Sequence, residues 1–431
     1  MSKQRIQLSD HFTYPRLLRF VLPCIGTMLF TSIYGIVDGL CVSNFVGKTA
    51  FAAVNLIMPL PMLLGTIGFM LGTGGSAIVG ITLGEGDQKK ADRYFTLFLL
   101  AALVSVSVLA VLGIVFLRPI AVLLGAKGEL LDYAVRYGRI LMVSLPTFAL
   151  QNMFQSFFVT AEKPHLGFWF TVGAGCTNMV LDVLMVGVWG WGVEGAAIAT
   201  FISQLVGGVL PVFYFIDRSN TSRLHLCQTK VYGGVLRDAC INGSSELMTN
   251  LSMSLVNILY NFQLLRLAGE NGVAAYGVIM YAAFLFVAVF VGYAVGSAPI
   301  VSFHYGARNH AEVHNLYRKS LRLIAVVAVT LTLASMFIIP CVARIFVGYD
   351  AELLALTSRA FRLYALSFLI MGFNVYASSF FTALGDGVTS ALISFLRTLA
   401  FQVIAILLLP LLLGIDGIWL AVTAAELAAL A

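Results

Sequence analysis

Charge is scarce in this chain. Only 11% of its 431 residues are Asp, Glu, Lys or Arg, while 60% are hydrophobic. A soluble domain is usually near a quarter charged, and no soluble core absorbs so large an apolar excess. Cysteine and histidine are sparse too, six of each. The cysteines, at 24, 41, 176, 227, 240 and 341, include no C-x-x-C pair. That removes a disulfide framework and a thiolate metal centre, and leaves six small hydrophobes expected in the interior. His11, His165, His225, His304, His310 and His314 all fall in loops or at the ends of apolar runs, so no Ser-His dyad or His cluster lies within the bilayer and an enzyme is not expected. No glycine-rich stretch ends in G-K-[ST]. GTGGSAIVG (72–80) lies inside an apolar run, so ATP is not the energy source. The net charge of +6 comes from basic residues in short loops, without a basic helix or an aromatic stacking platform, which argues against nucleic acid as a partner.

What the chain does have is long apolar runs. They cover 17–41, 51–82, 94–117, 133–158, 166–189, 193–216, 236–265, 273–303, 320–346, 356–383, 389–413 and 415 onward, twelve in all. Runs of this length match transmembrane helices, which need roughly 20 residues, and exceed barrel strands, which need about ten. The first, behind MSKQRIQLSDHFTYPRLLRF, is too long for a cleaved signal peptide and is read as a true span. With the N-terminus in the cytoplasm, sixteen Lys and Arg fall inside, Lys3, Arg5, Lys163 and Arg223 among them. Nine fall outside: Lys48, Arg118, Lys127, Arg136, Arg139, Arg266, Arg344, Arg359 and Arg362. The positive-inside rule therefore places both termini in the cytoplasm. Arg308, Arg318, Lys319 and Arg322 follow the eighth span and are expected to fix its orientation or meet lipid headgroups.

The chain is also internally duplicated. Slid by 222 or 223 residues, FVGKTAFAAVN (45–55) lies over LAGENGVAAYG (267–277), and Gly84 lies over Gly306. GAKGELL (125–131) meets GYDAELL (348–354), QNMFQSFF (151–158) meets NVYASSFF (374–381), and GVEGAA (192–197) meets GIDGIW (414–419). Each half holds six spans, an even number, so the halves enter from one side and are related by a pseudo-two-fold axis along the membrane normal. The expected fold is an all-α integral membrane protein with an N-lobe over 1–216, a cytoplasmic linker over 217–235 and a C-lobe over 236–431. The last helix is shorter than its counterpart, which suggests an incomplete final span. In transporters built from such repeats the substrate lies between the halves, and rocking gives alternating access.

Carboxylates within spans are costly and tend to mark ion or substrate paths. Asp38, Asp182 and Glu246 qualify, with Glu426 a weaker fourth, and Arg397 is the lone basic residue well inside a span. Asn178 and Asp182, four apart, share a helix face, and Thr200 adds a hydroxyl one span later. Asp38 lies about fifteen residues beyond Pro23, a residue that would bend the first helix. With Asp38, these three make an oxygen-rich set suited to a shared proton or a hard cation such as Na⁺. The alternative is that both aspartates sit at outer helix ends and touch headgroups or water. Glu194 and Asp416, matched by the repeat, open the last span of each half and are read as structural complements to a helix N-terminus.

These residues resemble the MATE (multidrug and toxin extrusion) transporters, and within them the MepA-like bacterial branch. The likeness spans the whole chain and rests on the two six-span halves, on Asp38 followed by Asn44 and FVGKTAFAAVN, on APIVSFHYGARN (298–309), and on Asn178, Asp182 and Thr200. It implies a monomeric secondary antiporter of the bacterial cytoplasmic membrane, in contact with membrane lipids and exporting small organic, often cationic, compounds. The exchanged ion would be H⁺ or Na⁺, bound by Asp38, Asn178, Asp182 and Thr200, with no other cofactor, and its binding would bend the first helix. The C-lobe lacks counterparts to both aspartates, so coupling is expected in the N-lobe alone. Glu246 resembles a seventh-span glutamate of the NorM-like branch that would attract a cationic substrate; capping its own helix with Ser244 and Ser245 is the plainer reading. Tyr34, Met58, Gln151, Gln155, Tyr260, Asn261, Met280 and Asn374, each polar or soft within a span, are the further cavity candidates, with packing between helices as their alternative. A related architecture serves flippases of lipid-linked saccharide precursors, but a pyrophosphate-bearing substrate asks for several cationic side chains where only Arg397 is found.

Overall fold

The computed structural model describes residues 6–46, 48–348 and 350–431, without the side chains of 39–44, 48, 51, 345 and 346. Lys3 and Arg5, and the side chains of Cys41, Asn44 and Lys48, therefore lie outside the described residues. The described residues form helices and no strand. The first half comprises α1 (Tyr14–Phe45), α2 (Lys48–Ile57), α3 (Pro59–Gly84), α4 (Gln88–Leu123), α5 (Glu129–Thr160), α6 (Pro164–Asp182), α7 (Gly192–Gly208) and α8 (Leu210–Ile216). The second comprises α9 (Gly233–Asn242), α10 (Ser244–Gly306), α11 (His310–Val347), α12 (Ala351–Ala365), α13 (Phe368–Ala383), α14 (Gly387–Phe395), α15 (Phe401–Leu413) and α16 (Ile415–Leu430). A π-helical segment extends α6 over Val183–Val188, and another joins α14 to α15 over Leu396–Ala400.

Among the described residues, eight helices are long and apolar enough to cross a bilayer, nine when α12 and α13, bent by 47° at their junction, count as one span. One of them, α10, has 63 residues and is broken at Gly269, whose φ of 61° and ψ of −150° suit glycine alone. At 1.5 Å per residue it would reach about 95 Å, so it crosses twice. With the 32-residue α5 and the 16-residue α16, twelve crossings result, and the protein is a multi-pass membrane protein. Through Pro23, α1 runs on unbroken as a helix.

The duplication seen in the sequence is built into the packing. Arg136 on α5 pairs with Glu194 in the first turn of α7 at 3.9 Å, and Arg359 on α12 pairs with Asp416 in the first turn of α16. One scaffold contact is thus made twice, at positions the repeat equates. The linker is laid back along α4, where the backbone N–H groups of His225 and Cys227 donate to Asp92 Oδ1 and Thr96 Oγ1 at 3.0 and 3.1 Å. Lipid-facing positions are apolar, as Phe213, Phe262 and Phe337 show. The cysteines depart from expectation: Cys24 is buried, but Cys176 and Cys341 are exposed. Where every helix face is apolar, composition does not say which face turns inward.

The halves meet most closely at the end that carries the loops read as cytoplasmic. Gly84 and Gly306, equated by the repeat, face each other's helices: a Cβ built on Gly84 would lie 2.0 Å from the carbonyl oxygen of Phe303, and one on Gly306 would lie 2.0 Å from that of Ile81. Further along, Gly292 and Gly296 of α10 admit the backbone of Ile25 and the Cys24 side chain of α1. No side chain fits at either crossing, so Gly306→Ala is expected to drive this end apart. Cys24, 5% exposed in this seam, reports it. With the other five cysteines replaced by Ser, its reaction with a membrane-permeant maleimide should speed up at least fivefold in the variant. An unchanged rate would show that the crossing tolerates the methyl group.

Candidate functional site

In the first half, the polar residues singled out within spans come together. Asp182 ends α6 where the helix widens into its π-helical turn, a distortion often found at functional positions. It is 0% exposed, which excludes contact with headgroups, and among the described residues neither of its carboxylate oxygens meets a donor other than the carboxyl of Asp38. Asp38, reaching in from α1, faces it, and its Oδ1 is likewise buried and unpartnered. One turn before Asp182, Asn178 is buried and donates through Nδ2 to Thr200 Oγ1 at 3.5 Å. The α1 and α6 helices that carry the acids pack directly on each other, with Gly175 of α6 receiving the rings of Phe30 and Tyr34.

Sequence reasoning did not include Tyr137. Fully buried on α5, it lies within the field of both aspartates, and its hydroxyl has no hydrogen-bond partner among the described residues. Nothing in the sequence separates it from the other fifteen tyrosines; only the packing of α5 against α7 and α3 brings it in. Tyr34 stands beside Asp38 and contacts Gln151, so both belong to the rim of this acid pair. Two facing carboxylates out of water, with three buried oxygens that meet no other donor and a hydroxyl beside them, are unfavourable unless a positive charge or a proton is shared between them. The donor set, all oxygen, suits a hard monovalent cation as well as a proton.

A second polar group, not expected from the sequence, lies in the other half. A cavity of about 300 Å³ opens between α10, α13, the π-helical segment at 396–400 and α16, reaching α3 at Thr73 and Ser76. Glu246, Arg397 and Glu426 all line it. Glu426 Oε1 is 3.4 Å from an Arg397 guanidinium nitrogen, and its Oε2 accepts from Asn374 Nδ2 at 2.7 Å. The reading that the second half has no counterpart of the acid pair stands beside this second group, which it did not include. The second half lacks counterparts of Asp38 and Asp182, but carries its own acid and base on different turns. With the 222-residue offset, Arg397 falls on Gly175, Glu426 on Gln204 and Asn374 on Asn152, so the change is visible only when those particular positions are compared.

The remaining cavity candidates divide. Tyr260 and Met280 line the cavity, as Glu246 does; Ser244 and Ser245 precede Glu246 in the first turn of α10, but its side chain faces the open space rather than capping the helix. Asn374 stands one layer behind, holding Glu426. Gln155 borders a smaller recess with Cys24 and Thr27. Two are misplaced: Met58 packs into the apolar cluster of α2, α5 and α7, and Asn261 lies on an exposed face of α10. One turn away, Asn257 takes the cavity position and accepts from the Tyr276 hydroxyl at 2.7 Å. Polarity marked the right turns of α10 but not the face.

The MatE family model matches this chain twice, over residues 23–184 and 247–408, in nearly the register read from the sequence. The multidrug export protein MepA of Staphylococcus haemolyticus is 21% identical over 385 residues, covering 89% of this chain and 84% of its own. Its Staphylococcus aureus counterpart is 21% identical over 420 residues, covering 97% and 92%. Among solved structures, a MATE in complex with MaL6 superposes with a TM-score of 0.93 at 22% identity, over 99% of this chain and 96% of that one. A multidrug resistance MATE transporter of the MOP superfamily in its outward-facing conformation gives 0.92 at 23%, over 100% and 96%.

Proposed function

The chain belongs to the MatE family, whose model spans both halves, and from that premise we propose that it is a secondary active multidrug exporter that trades an inward-moving H⁺ or Na⁺ for an outward-moving organic cation. It is a transporter, not an enzyme. One observation carries the reading: a buried pair of facing acids, Asp38 and Asp182, is separated from an apolar-walled cavity in the opposite half that holds the carboxylate of Glu246. The first is the place for the coupling ion, with Asn178 and Thr200 contributing oxygens to Na⁺ and the Tyr137 hydroxyl donating to whichever carboxylate stays charged. The second is the place for the substrate, with Tyr260, Met280 and Tyr276 giving adaptable apolar and π contacts.

The two communicate through α1. Near one end it carries Asp38; nearer the other, Cys24 and Ile25 sit in the seam with α10. Neutralising Asp38 removes the charge that holds α1 in its present position, and the seam changes with it, so the cavity faces the two sides of the membrane in turn. The protein works in the bacterial cytoplasmic membrane as a monomer, with both termini inside and no cofactor beyond the exchanged ion. A flippase for lipid-linked saccharides gains nothing here, because among the described residues Arg397 is the one Lys or Arg lining the cavity and it is tied to Glu426. In proteoliposomes holding the purified protein and ethidium, an imposed H⁺ or Na⁺ gradient is expected to accelerate dye movement at least tenfold over protein-free vesicles, and the effective gradient names the ion. Movement of no organic cation under either gradient would sink the exporter reading.

A further inference from the structure

At the end where the halves meet, each half is led by an arm that lies on the other. Residues 6–12 lead into α1 but rest on the opening turn of α11, where Glu312 accepts the Phe12 N–H at 2.9 Å. The linker leads into α9 and α10 but rests on the start of α4, where Asp92 accepts the His225 N–H at 3.0 Å. The repeat equates those two helices, whose N-caps Asp87 and Asn309 are 222 residues apart. Leu8, Phe12 and Leu224 anchor the arms, each 0% exposed. Between the arms, Glu162 accepts from both Leu8 and Arg223, and Arg223 also lies over the Phe303 ring of α10 at 4.8 Å. The halves cannot part here without releasing the arms.

Three imidazoles stand in this layer. His304 is packed edge-on beneath Phe12, and His225 lies in the field of Asp92 and Asp217. The Nε2 atoms of both are buried without a hydrogen-bond partner among the described residues, so a charged ring would leave a buried donor unmet. His11 is different. Its side chain is 65% exposed, and its Nδ1 lies 2.6 Å from Glu312 Oε2. Facing it are Glu312 on α11, His304 on α10 and Arg16 on α1, whose guanidinium donates to the His11 carbonyl at 3.3 Å. Lys319 takes the next carbonyl along, and Asp10 is turned back onto the Gln7 N–H. Among these groups Glu312 is the acid that His11 touches.

We propose that His11 makes this end of the protein respond to the acidity of its own side: a proton on the imidazole turns the bond to Glu312 into an ion pair, which holds the arm and the seam shut. A neutral ring can make the same hydrogen bond, but the charged one makes it roughly twice as strong. The added hold is complete at low pH and is lost as pH rises through the range in which imidazole gives up its proton, about 5 to 8. Acid therefore closes this end and alkali loosens it. The proposal goes beyond the exporter reading and rests on it only for direction, since there the sensed side is the cytoplasm. An exporter that admits H⁺ would then slow its own intake as the interior acidifies.

The test uses the full chain in lipid vesicles, with its six cysteines replaced by Ser and nitroxide labels at Lys89→Cys and Ala311→Cys. Both positions are exposed, and the repeat equates them at the starts of α4 and α11. Pulsed electron double resonance then reads the distance between the halves at this end. From pH 6 to pH 8 the ratio of long to short distances is expected to rise at least threefold. His11→Gln should lose that response while His225→Asn and His304→Asn keep it, and His11→Lys, charged throughout, should stay closed at both pH values. A response that persists in His11→Gln belongs to other groups, such as the Asp38 and Asp182 pair, and overturns the proposal. So does a native chain whose distances ignore pH, or a response that disappears with His225 or His304 instead. The measurement needs neither cargo nor gradient, so its failure leaves the exporter reading to be judged by its own experiment.

Discussion

Replacing Asp182 with Asn should abolish gradient-driven efflux, lowering it at least tenfold toward the passive leak, and should at the same time make the protein melt at a higher temperature. The two effects have one cause. Asp182 is 0% exposed, and among the described residues neither of its carboxylate oxygens meets a donor other than the carboxyl of Asp38, which it faces. Acceptor oxygens buried without a partner cost about 1–3 kcal/mol, and an amide, neutral at every pH and bringing an N–H donor toward Asp38, relieves part of that cost. That gain corresponds to a few degrees in melting temperature for a domain of ordinary size. On the proposed mechanism the same change removes the group that an incoming ion would neutralise, so the amide could not be cycled. Stability bought at a working site in this way is a familiar exchange. A variant that melts lower, or that pumps normally, would mean that Asp182 is a packed structural residue and that the coupling ion binds elsewhere.

The second large effect is expected where residues 6–12 bridge the two halves. Glu162, at the junction of α5 and α6, accepts the Leu8 N–H at 2.9 Å and the Arg223 guanidinium at 2.6 Å. It is 8% exposed and holds φ at +61°, a left-handed backbone that costs a non-glycine residue about 1–2 kcal/mol. In the other half, Glu312 accepts the Phe12 N–H at 2.9 Å, Asn315 at 2.9 Å and His11 Nδ1 at 2.6 Å, and Lys319 donates to the Phe12 carbonyl at 2.6 Å. The segment is thus fastened to the first half by one carboxylate and to the second by another. Each bond to a charged partner contributes about 1.5–3 kcal/mol. Glu312→Ala is therefore expected to shift the balance between closed and open forms of this end by about 2–3 kcal/mol, or roughly 30- to 150-fold. Maleimide labelling of Cys24 should then rise at least tenfold. Labelling that stays slow would show that the seam between α1 and α10 closes without this segment.

Much of this was legible in the chain because membranes impose strong rules. Backbone groups in hydrocarbon must be satisfied within the helix, so long apolar runs leave no choice of secondary structure. The duplication fixed the two-half plan, and the assembly of Asp38, Asn178, Asp182 and Thr200 followed from one repeat of helical spacing and the rarity of acids in spans. Three things escaped. Tyr137 joins the acids only through the packing of α5, and a tyrosine in an apolar run carries no mark of its own. Met58 was placed by its softness and Asn261 by its polarity, and in a helix apolar on all sides neither says anything about direction. The Arg397 and Glu426 pair spans two helices 29 residues apart, and each member alone reads as an isolated oddity. Lys319 and Arg322, expected to fix the orientation of the eighth span or meet headgroups, also hold the N-terminal segment: one donates to the Phe12 carbonyl and the other reaches the Tyr14 hydroxyl at 3.5 Å.

The crossing of Gly84 and Gly306 has a consequence for energy conservation. Main chain lies against main chain there, without the width of a methyl group between them, so a file of water molecules has no room to thread the seam while it is shut. Protons hop along such files, and an exporter driven as proposed, by an ion gradient, would dissipate its supply through one. On that reading the two glycines would serve as an insulator, their small size closing the path by which the gradient could short-circuit.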